Sequence, residues 1–341
     1  MLPIKRESYF YDVYPRVVLT ERETKITIRP IDAHAAFSPD AVYTIRVIPL
    51  TADIYSRSKP AFYETQVSPK NGAIEFYCAF CGEQEHSIRI FKDGSEALLL
   101  NTSVYSVCSD LYMRTPLLGD FHVHTCYSDG VESPEFVAAM YRQAGFDFIP
   151  ITDHGRMDAS RRAISFYKDV PLDFKLYPGE EVHSPHNHVH IVHFGGERSV
   201  NEQCLTEIAK NPWENPGKEE WNRETEALAQ TFSDLPEGVD PFIHASCLRV
   251  IERIHEAKGM AILCHPFWIA DVHNVTDAMT RMYLENHYAD AFELIGGQSN
   301  HENMLQIALY QQLLSEGCRI PVRLLYTSDA ADDLLCVDLG G

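Results

Sequence analysis

Two histidines separated by a single residue, His122 and His124 in Gly119-Asp120-Phe121-His122-Val123-His124-Thr125, are where chemistry first suggests itself in this chain. Read as a β-strand, the segment puts both imidazoles on one face, because side chains two apart point the same way. Asp129, in the Ser128-Asp129-Gly130 that follows, adds a carboxylate just past the strand's end. Two imidazoles and an acid that converge are the beginning of a metal site. Taken alone, the pair also fits two half-exposed histidines on an edge strand. The same residue types then recur at the ends of later strand-like runs, as His154, Glu181, His190 and His265. In a (β/α) barrel the strand ends open on one rim, so distant chain positions meet there.

The elements that must position these side chains change character along the chain. Up to about residue 115 the runs are short, β-branched and punctuated by Pro, Gly, Asn and Asp, as expected of a small all-β sandwich. His34 and His86 are isolated there and read as ordinary histidines. Arg114-Thr115-Pro116 reads as a linker. From Leu117 strands alternate with helices. Ser133 is a capping residue ahead of Pro134, and helices are expected near 134–145, 159–168, 246–258 and 302–316. Strands are expected at 146–151, 174–177, 188–193, 260–264 and 291–295. Residues 197–240, rich in Glu, Asn, Trp and Pro, read as a partly helical insertion. Repeated βα units imply an α/β fold built on a parallel sheet or barrel.

Composition narrows the function classes. The 341 residues are 45% hydrophobic and 23% charged, ordinary for a soluble globular chain. A formal charge of −20 argues against a basic nucleic-acid-binding surface, while a bound cation would still admit a small anionic substrate. No apolar run reaches the ~18 residues of a membrane span, and Met-Leu-Pro-Ile-Lys-Arg is no signal-peptide core, so a cytoplasmic location is expected. Nine cysteines lack a framework spacing and fit a reducing compartment. Cys78 and Cys81 have redox or zinc spacing, but no second pair completes a zinc site.

The motifs Asp-Phe-His-Val-His-Thr with Ser-Asp-Gly, Ile-Thr-Asp-His, Pro-Gly-Glu-Glu, His-Val-His-Ile-Val and Cys-His-Pro resemble those of the polymerase and histidinol phosphatase (PHP) superfamily of metal-dependent hydrolases. The resemblance covers about 117–323. A β-rich first domain followed by Gly-Asp-Phe-His-Val-His-Thr is similar to the carbaryl-hydrolase-type branch. The resemblance implies a distorted (β/α)7 barrel at 116–323, preceded by the sandwich at 1–115, with two or three divalent ions (Zn, Mn or Fe). It assigns His122, His124, Asp129, His154, Glu181, His190 and His265 as metal ligands. Glu181 is preferred to Glu180 because the pattern is Gly, any residue, Glu. Asp120 and Asp153 are expected to orient neighbouring histidines from behind.

The implied chemistry is hydrolysis of a small, anionic substrate by a metal-activated hydroxide, most commonly at a phosphoester. Carbamate or ester hydrolysis on the same site is the runner-up, and a non-catalytic metal- or ligand-binding protein is the alternative of a different class. Long nucleic acids are disfavoured, but nucleotides are not. His183 is a candidate proton donor and Arg156 a candidate anion binder. The superfamily's last motif, Ser-Asp-any-His, has no histidine here: Ala331 stands in its place in Thr327-Ser328-Asp329-Ala330-Ala331. Residues 324–341 resemble translated sequencing-adapter DNA, which implies a non-native tail in place of the last motif and a chain at risk of inactivity; an evolved loss of the ligand is the alternative.

Overall fold

The computed structural model describes residues 10–52, 63–92, 97–115, 117–208, 212–269, 272–318 and, as backbone, 322–326. Of the suspected tail, 324–326 fall among these residues and 327–341, with the 327–331 segment, lie outside them, as do Pro116 and 319–321. The chain divides into two compact units, Met1–Pro116 and Leu117–Gly341.

The first unit contains two sheets. Strands β1 (Tyr11–Tyr14), β3 (Glu23–Pro30) and β6 (Ile74–Ala79) form one, in the order β1-β3-β6. Strands β2 (Val17–Leu19), β4 (Tyr43–Pro49), β5 (Tyr63–Val67), β7 (Gln84–Lys92) and β8 (Leu98–Val107) form the other, in the order β2-β8-β7-β4-β5. All pairings are antiparallel except β2 with β8. Alternate residues of both sheets, such as Ile26, Ile28, Ile45, Ile88, Ile90 and Leu100, share one apolar cluster. That alternation is the half-buried strand pattern written in the sequence. Cys78 is buried and Cys81 exposed, both as free thiols, so the pair forms no disulfide. His86 is buried rather than at the surface, with Nδ1 3.4 Å from Ser106 Oγ.

The second unit is mixed α/β. Among the described residues its helices of nine residues or more are α1 (Pro134–Gln143), α2 (Asp158–Tyr167), α3 (Glu219–Ala229), α4 (Pro241–Glu256), α5 (Asp277–Glu285) and α6 (Asn300–Ser315), with one short turn of helix at Asn201–Cys204. Its strands are β9 (Phe148–Pro150), β10 (Lys175–Tyr177), β11 (Gly179–Val182), β12 (Ile191–Phe194), β13 (Met260–Leu263), β14 (Ala291–Ile295) and β15 (Val322–Tyr326). A curled sheet runs β11-β12-β13-β14-β15, beside a parallel pair β9-β10. Strand β12 is antiparallel to both β11 and β13, while β13, β14 and β15 run parallel. The all-parallel expectation therefore fails at β12. Apolar side chains of β11–β14 pack with α4 and α5 in one large cluster, and α1 and α2 cover β9 in another. Among the described residues no helix is long and apolar enough to cross a membrane.

The segment carrying His122 and His124 is also not a strand. Only Gly119 bridges β9, at Phe148. Beyond it, side chains largely replace the ladder: His122 N donates to Asp120 Oδ1, Val123 N to Thr152 Oγ1 and Thr125 N to Asp153 Oδ1, at 3.1, 2.8 and 2.8 Å. The extended reading gives the correct reach, but the hydrogen-bond partners are polar side chains that alternation does not reveal.

Helix α4 starts five residues before its expected bound because Asp240 Oδ1 accepts from the backbone of Phe242 and Ile243, at 2.8 and 2.9 Å. Asp240→Ala is expected to destabilise the second unit by about 1 kcal/mol, the usual worth of an N-cap. Urea denaturation checks this, and an unchanged midpoint would mean that the buried face of α4 holds the helix unaided.

Candidate metal centre

Glu181 stands at the centre of the site, and the pleat of β11 decides why. Successive side chains alternate, so Glu180 and Glu181 face opposite ways. Glu180 is buried against His193 Nδ1 at 2.9 Å, Ser199 Oγ at 2.5 Å, the Val200 amide at 2.6 Å and Asn201 Nδ2 at 3.0 Å. Glu181 faces the histidines. Its Oε2 lies 3.3 Å from His122 Nε2, 3.2 Å from His124 Nε2, 2.5 Å from His154 Nδ1 and 4.0 Å from His183 Nε2. Its Oε1 lies 2.7 Å from His190 Nδ1 and 3.1 Å from His265 Nε2. Both carboxylates are fully buried.

Each imidazole arrives by its own route. His154 follows β9 and bridges Glu181 through its backbone. His190 precedes β12 instead of following a strand. Because β12 runs antiparallel, its N-terminal end lies at the rim where the parallel strands end: Ile191 is in register with Val182 on one side and Leu263 on the other. His265 follows β13 with φ +26°, an uncommon backbone angle for a residue with a side chain. Asp129 lies toward solvent, with Oδ1 2.7 Å from His124 Nδ1 and Oδ2 3.4 Å from His154 Nε2. Its loop closes tightly: a Cβ on Gly130 would sit 2.8 Å from Thr125 Cα.

Asp153 does not orient an imidazole. It accepts from the amides and hydroxyls of Thr125 and Ser128, at 2.6–3.0 Å, and so shapes the loop that delivers Asp129. Asp120 accepts from the His122 amide and from the Tyr141 hydroxyl at 2.7 Å. The Arg156 guanidinium donates to both oxygens of Asp158 and to the Tyr127 carbonyl, and lies over the Tyr127 ring.

Sequence reasoning passed over two participants and gave a third a different role. Glu293, buried in β14, has Oε2 3.3 Å from His122 Nδ1 and 3.1 Å from the His265 amide. Cys264 Sγ is 3.7 Å from Glu181 Oε1. His183, considered only as a proton donor, has Nε2 2.7 Å from His154 Nδ1. A rim position on β14 was the available signal for Glu293. Among the described residues, four overlapping groups have donor atoms mutually within 4.8 Å: His122-Cys264-His265-Glu293, His154-Glu181-His183-His190, His122-His124-Glu181 and His124-Asp129-His154.

Two observations fit these atoms to cations. First, His122 Nε2, His190 Nδ1 and Glu181 Oε2 are buried and close to their neighbours, yet none makes an aligned hydrogen bond. Lone pairs aimed at a shared point produce that geometry, and hydrogen bonds do not. Second, ligation needs neutral imidazoles and ionised carboxylates, a condition that Glu181, His183 and His190 meet and that His122 and His154 do not while Glu181 is their partner. Burial opposes charge on Glu181, but His154, His190 and His122 outweigh it and hold the carboxyl well below its usual range. Burial also pushes His183 well down and His190 down to about 4. Burial would lower His122 and His154 likewise, yet Glu181, aided at His122 by Glu293 and at His154 by Asp129, lifts both.

No protein-family model matches the chain, and no curated protein matches it. Among solved structures, it is similar to a chain named as a metal-dependent phosphoesterase from Bifidobacterium adolescentis, at 17% identity and a TM-score of 0.42, over 64% of this chain and 89% of that one. It is also similar to an amidohydrolase from Chromobacterium violaceum, solved with sulfate and no metal, at 16% identity and a TM-score of 0.41, over 62% and 88%. A two-domain protein from Bacteroides vulgatus, named for a PHP-like metal-dependent phosphoesterase, matches at 13% identity and a TM-score of 0.37, over 63% of this chain and 53% of its own.

Asn201 ties the two carboxylate residues to the site wall. Its amide donates to Glu180 Oε2 and the Glu181 carbonyl, and its oxygen accepts from the His183 amide, each at 3.0 Å. Asn201→Ala strands those buried groups and is expected to cost about 3 kcal/mol, read as a lowered thermal midpoint. An unchanged midpoint would show that the wall is held from elsewhere.

Proposed function

We propose that the second unit is a distorted (β/α)7 barrel of the PHP type, and that the chain is a metal-dependent hydrolase acting on a small phosphoester. The first unit is read with it as a β-sandwich. One observation carries the proposal: a single buried carboxylate, Glu181, within 4.0 Å of six imidazoles drawn from five separate stretches of chain. So many unsaturated donors around one acid are costly to bury unless a cation completes them.

His122, His124, Asp129, His154, Glu181, His190 and His265 would hold two or three divalent ions, with His183, Glu293 and Cys264 within the same groups. Imidazole with carboxylate suits Zn, Mn or Fe. Such ions, when bound, acidify water and stabilise negative charge developing on the attacked centre. The chain's own residues do the rest. Glu181 stays ionised and links the donor groups. Asp153 fixes the loop that carries Asp129, and Arg156 buttresses that loop through Tyr127. Asp129, whose side chain is half exposed, marks the open side by which substrate enters. Buried His183 sits among the ligand atoms and serves here as a ligand, leaving the leaving-group proton to solvent on the open side.

The test is metal analysis of the purified protein beside turnover of p-nitrophenyl phosphate, a bis-phosphodiester and an aryl carbamate. Phosphoester turnover that chelation abolishes and Mn or Zn restores is expected. Turnover of the carbamate alone would move the chemistry to the runner-up, and full metal loading with no turnover would leave a binding protein. His122→Ala and Glu181→Gln should each remove at least one ion per chain and lower activity at least a hundredfold. Unchanged metal content in either variant would remove that residue from the ligand set.

A further inference from the structure

Both ring nitrogens of His122 face a carboxylate. Nε2 lies 3.3 Å from Glu181 Oε2, on the side where the other imidazoles converge, and Nδ1 lies 3.3 Å from Glu293 Oε2. An imidazole that binds an ion carries one ring hydrogen, so the two nitrogens play different parts. Nε2 is the buried atom without an aligned hydrogen bond, which leaves its lone pair directed at the donor groups. The hydrogen then belongs on Nδ1, and Glu293 Oε2 is the acceptor it meets. The same oxygen accepts from the His265 amide at 3.1 Å. His265 has φ +26°, an uncommon angle that this bond helps to hold, and the turn delivers its Nε2 to within 3.1 Å of Glu181 Oε1. One oxygen of one acid therefore fixes a side chain 171 residues before it and a backbone 28 residues before it.

The placement of that acid is itself built. Phe292 and Leu294 pack into the main apolar cluster, so the pleat of β14 turns fully buried Glu293 to the opposite face. Past the strand's end, Gly296 leaves room for the carboxylate, since a Cβ there would lie 2.3 Å from Glu293 Oε1. Asn303 of α6 grips Gly296 on both sides: its Oδ1 accepts from the Gly296 amide at 2.9 Å, and its Nδ2 donates to the Gly296 carbonyl at 3.0 Å. Gln306 Nε2 donates to the Leu294 carbonyl at 3.3 Å. A carboxylate is costly to bury, and here the strand and the first turns of α6 hold one against two candidate ligands.

We infer that Glu293 is a positioning residue of the metal centre: it keeps the ring hydrogen of His122 on Nδ1, so that Nε2 faces the ion, and it fixes the turn that presents His265. The inference rests on the metal-dependent reading and deepens it, by naming the group that sets the geometry of two ligands. A carboxylate behind a ligating imidazole orients the ring and raises its basicity, and its loss typically costs about ten- to a hundredfold in metal affinity.

The experiment measures zinc binding to the full chain by competition with a chromophoric chelator, for the wild type, Glu293→Ala and Glu293→Gln. Long-range proton–nitrogen correlation spectra of the zinc-loaded proteins report which ring nitrogen of His122 carries the hydrogen, with the resonance assigned through its loss in His122→Ala. Glu293→Ala should bind the same number of ions at saturating zinc, with an affinity about ten- to a hundredfold lower. Glu293→Gln, whose side-chain oxygen still accepts a hydrogen bond, should recover part of that loss. The wild type should show its His122 hydrogen on Nδ1. A hydrogen on Nε2 in the zinc-loaded wild type would overturn the inference without recourse to any variant. Equal zinc affinity in the wild type and Glu293→Ala would overturn it as well. So would a Glu293→Ala protein one ion short at saturating zinc, which would make Glu293 a ligand. Those three outcomes leave the metal-dependent reading standing, whereas a wild-type protein that binds no zinc removes that reading and this inference together.

Discussion

A buried carboxylate surrounded by imidazoles is the constraint on which the second unit depends. Taking an ionised acid out of water is expensive unless partners compensate it at every lone pair. Glu181 meets this with side chains from the 122–124 segment, the turn after β9, its own strand's exit, the residue before β12 and the residue after β13. Any shift of one strand against its neighbours would separate these contacts, so the site and the sheet register stabilise each other.

The polar residues behind the site follow from the same requirement. Glu180 is buried as deeply as Glu181 but is answered on the other face by His193, Ser199, Val200 and Asn201. Two adjacent acids thus have different fates through the pleat alone. Asn201 bonds to both residues, so residues 199–205 belong to the site wall and are not a detachable insertion. Trp221, from the same stretch, is part of the main core. Local backbone irregularity accompanies the site as well, in the ladder-free 120–125 segment and in His265.

Much of this was legible from residue order, for reasons that can be stated. Alternation along β-strands is local, so the buried faces of the first unit and the opposite facing of Glu180 and Glu181 can be read without knowing the fold. Ser133 before Pro134 marks a helix start, and Ser133 Oγ accepts from the Phe136 amide in the structure. Strand-end position singled out His122, His124, His154, Glu181, His190 and His265, and the five histidines among them lie around the Glu181 carboxylate. By contrast, the 120–125 segment reads as a strand because its composition is strand-like, while the amides of His122, Val123 and Thr125 go to side chains of residues 152 and 153 and of its own Asp120.

What the amino-acid order determined by itself is the set of donors and their local facing: which acids and imidazoles exist, and which share a side of an extended segment. What only the tertiary structure decided is their convergence. The antiparallel direction of β12 brings His190 to the rim from the wrong end of its strand, register places Glu293 against His122 across 171 residues, and the 212–217 turn sets Trp213 beside His154. Direction, register and loop closure are long-range quantities, settled by how sheets and helices bury their apolar faces together, and no window of neighbouring residues contains them.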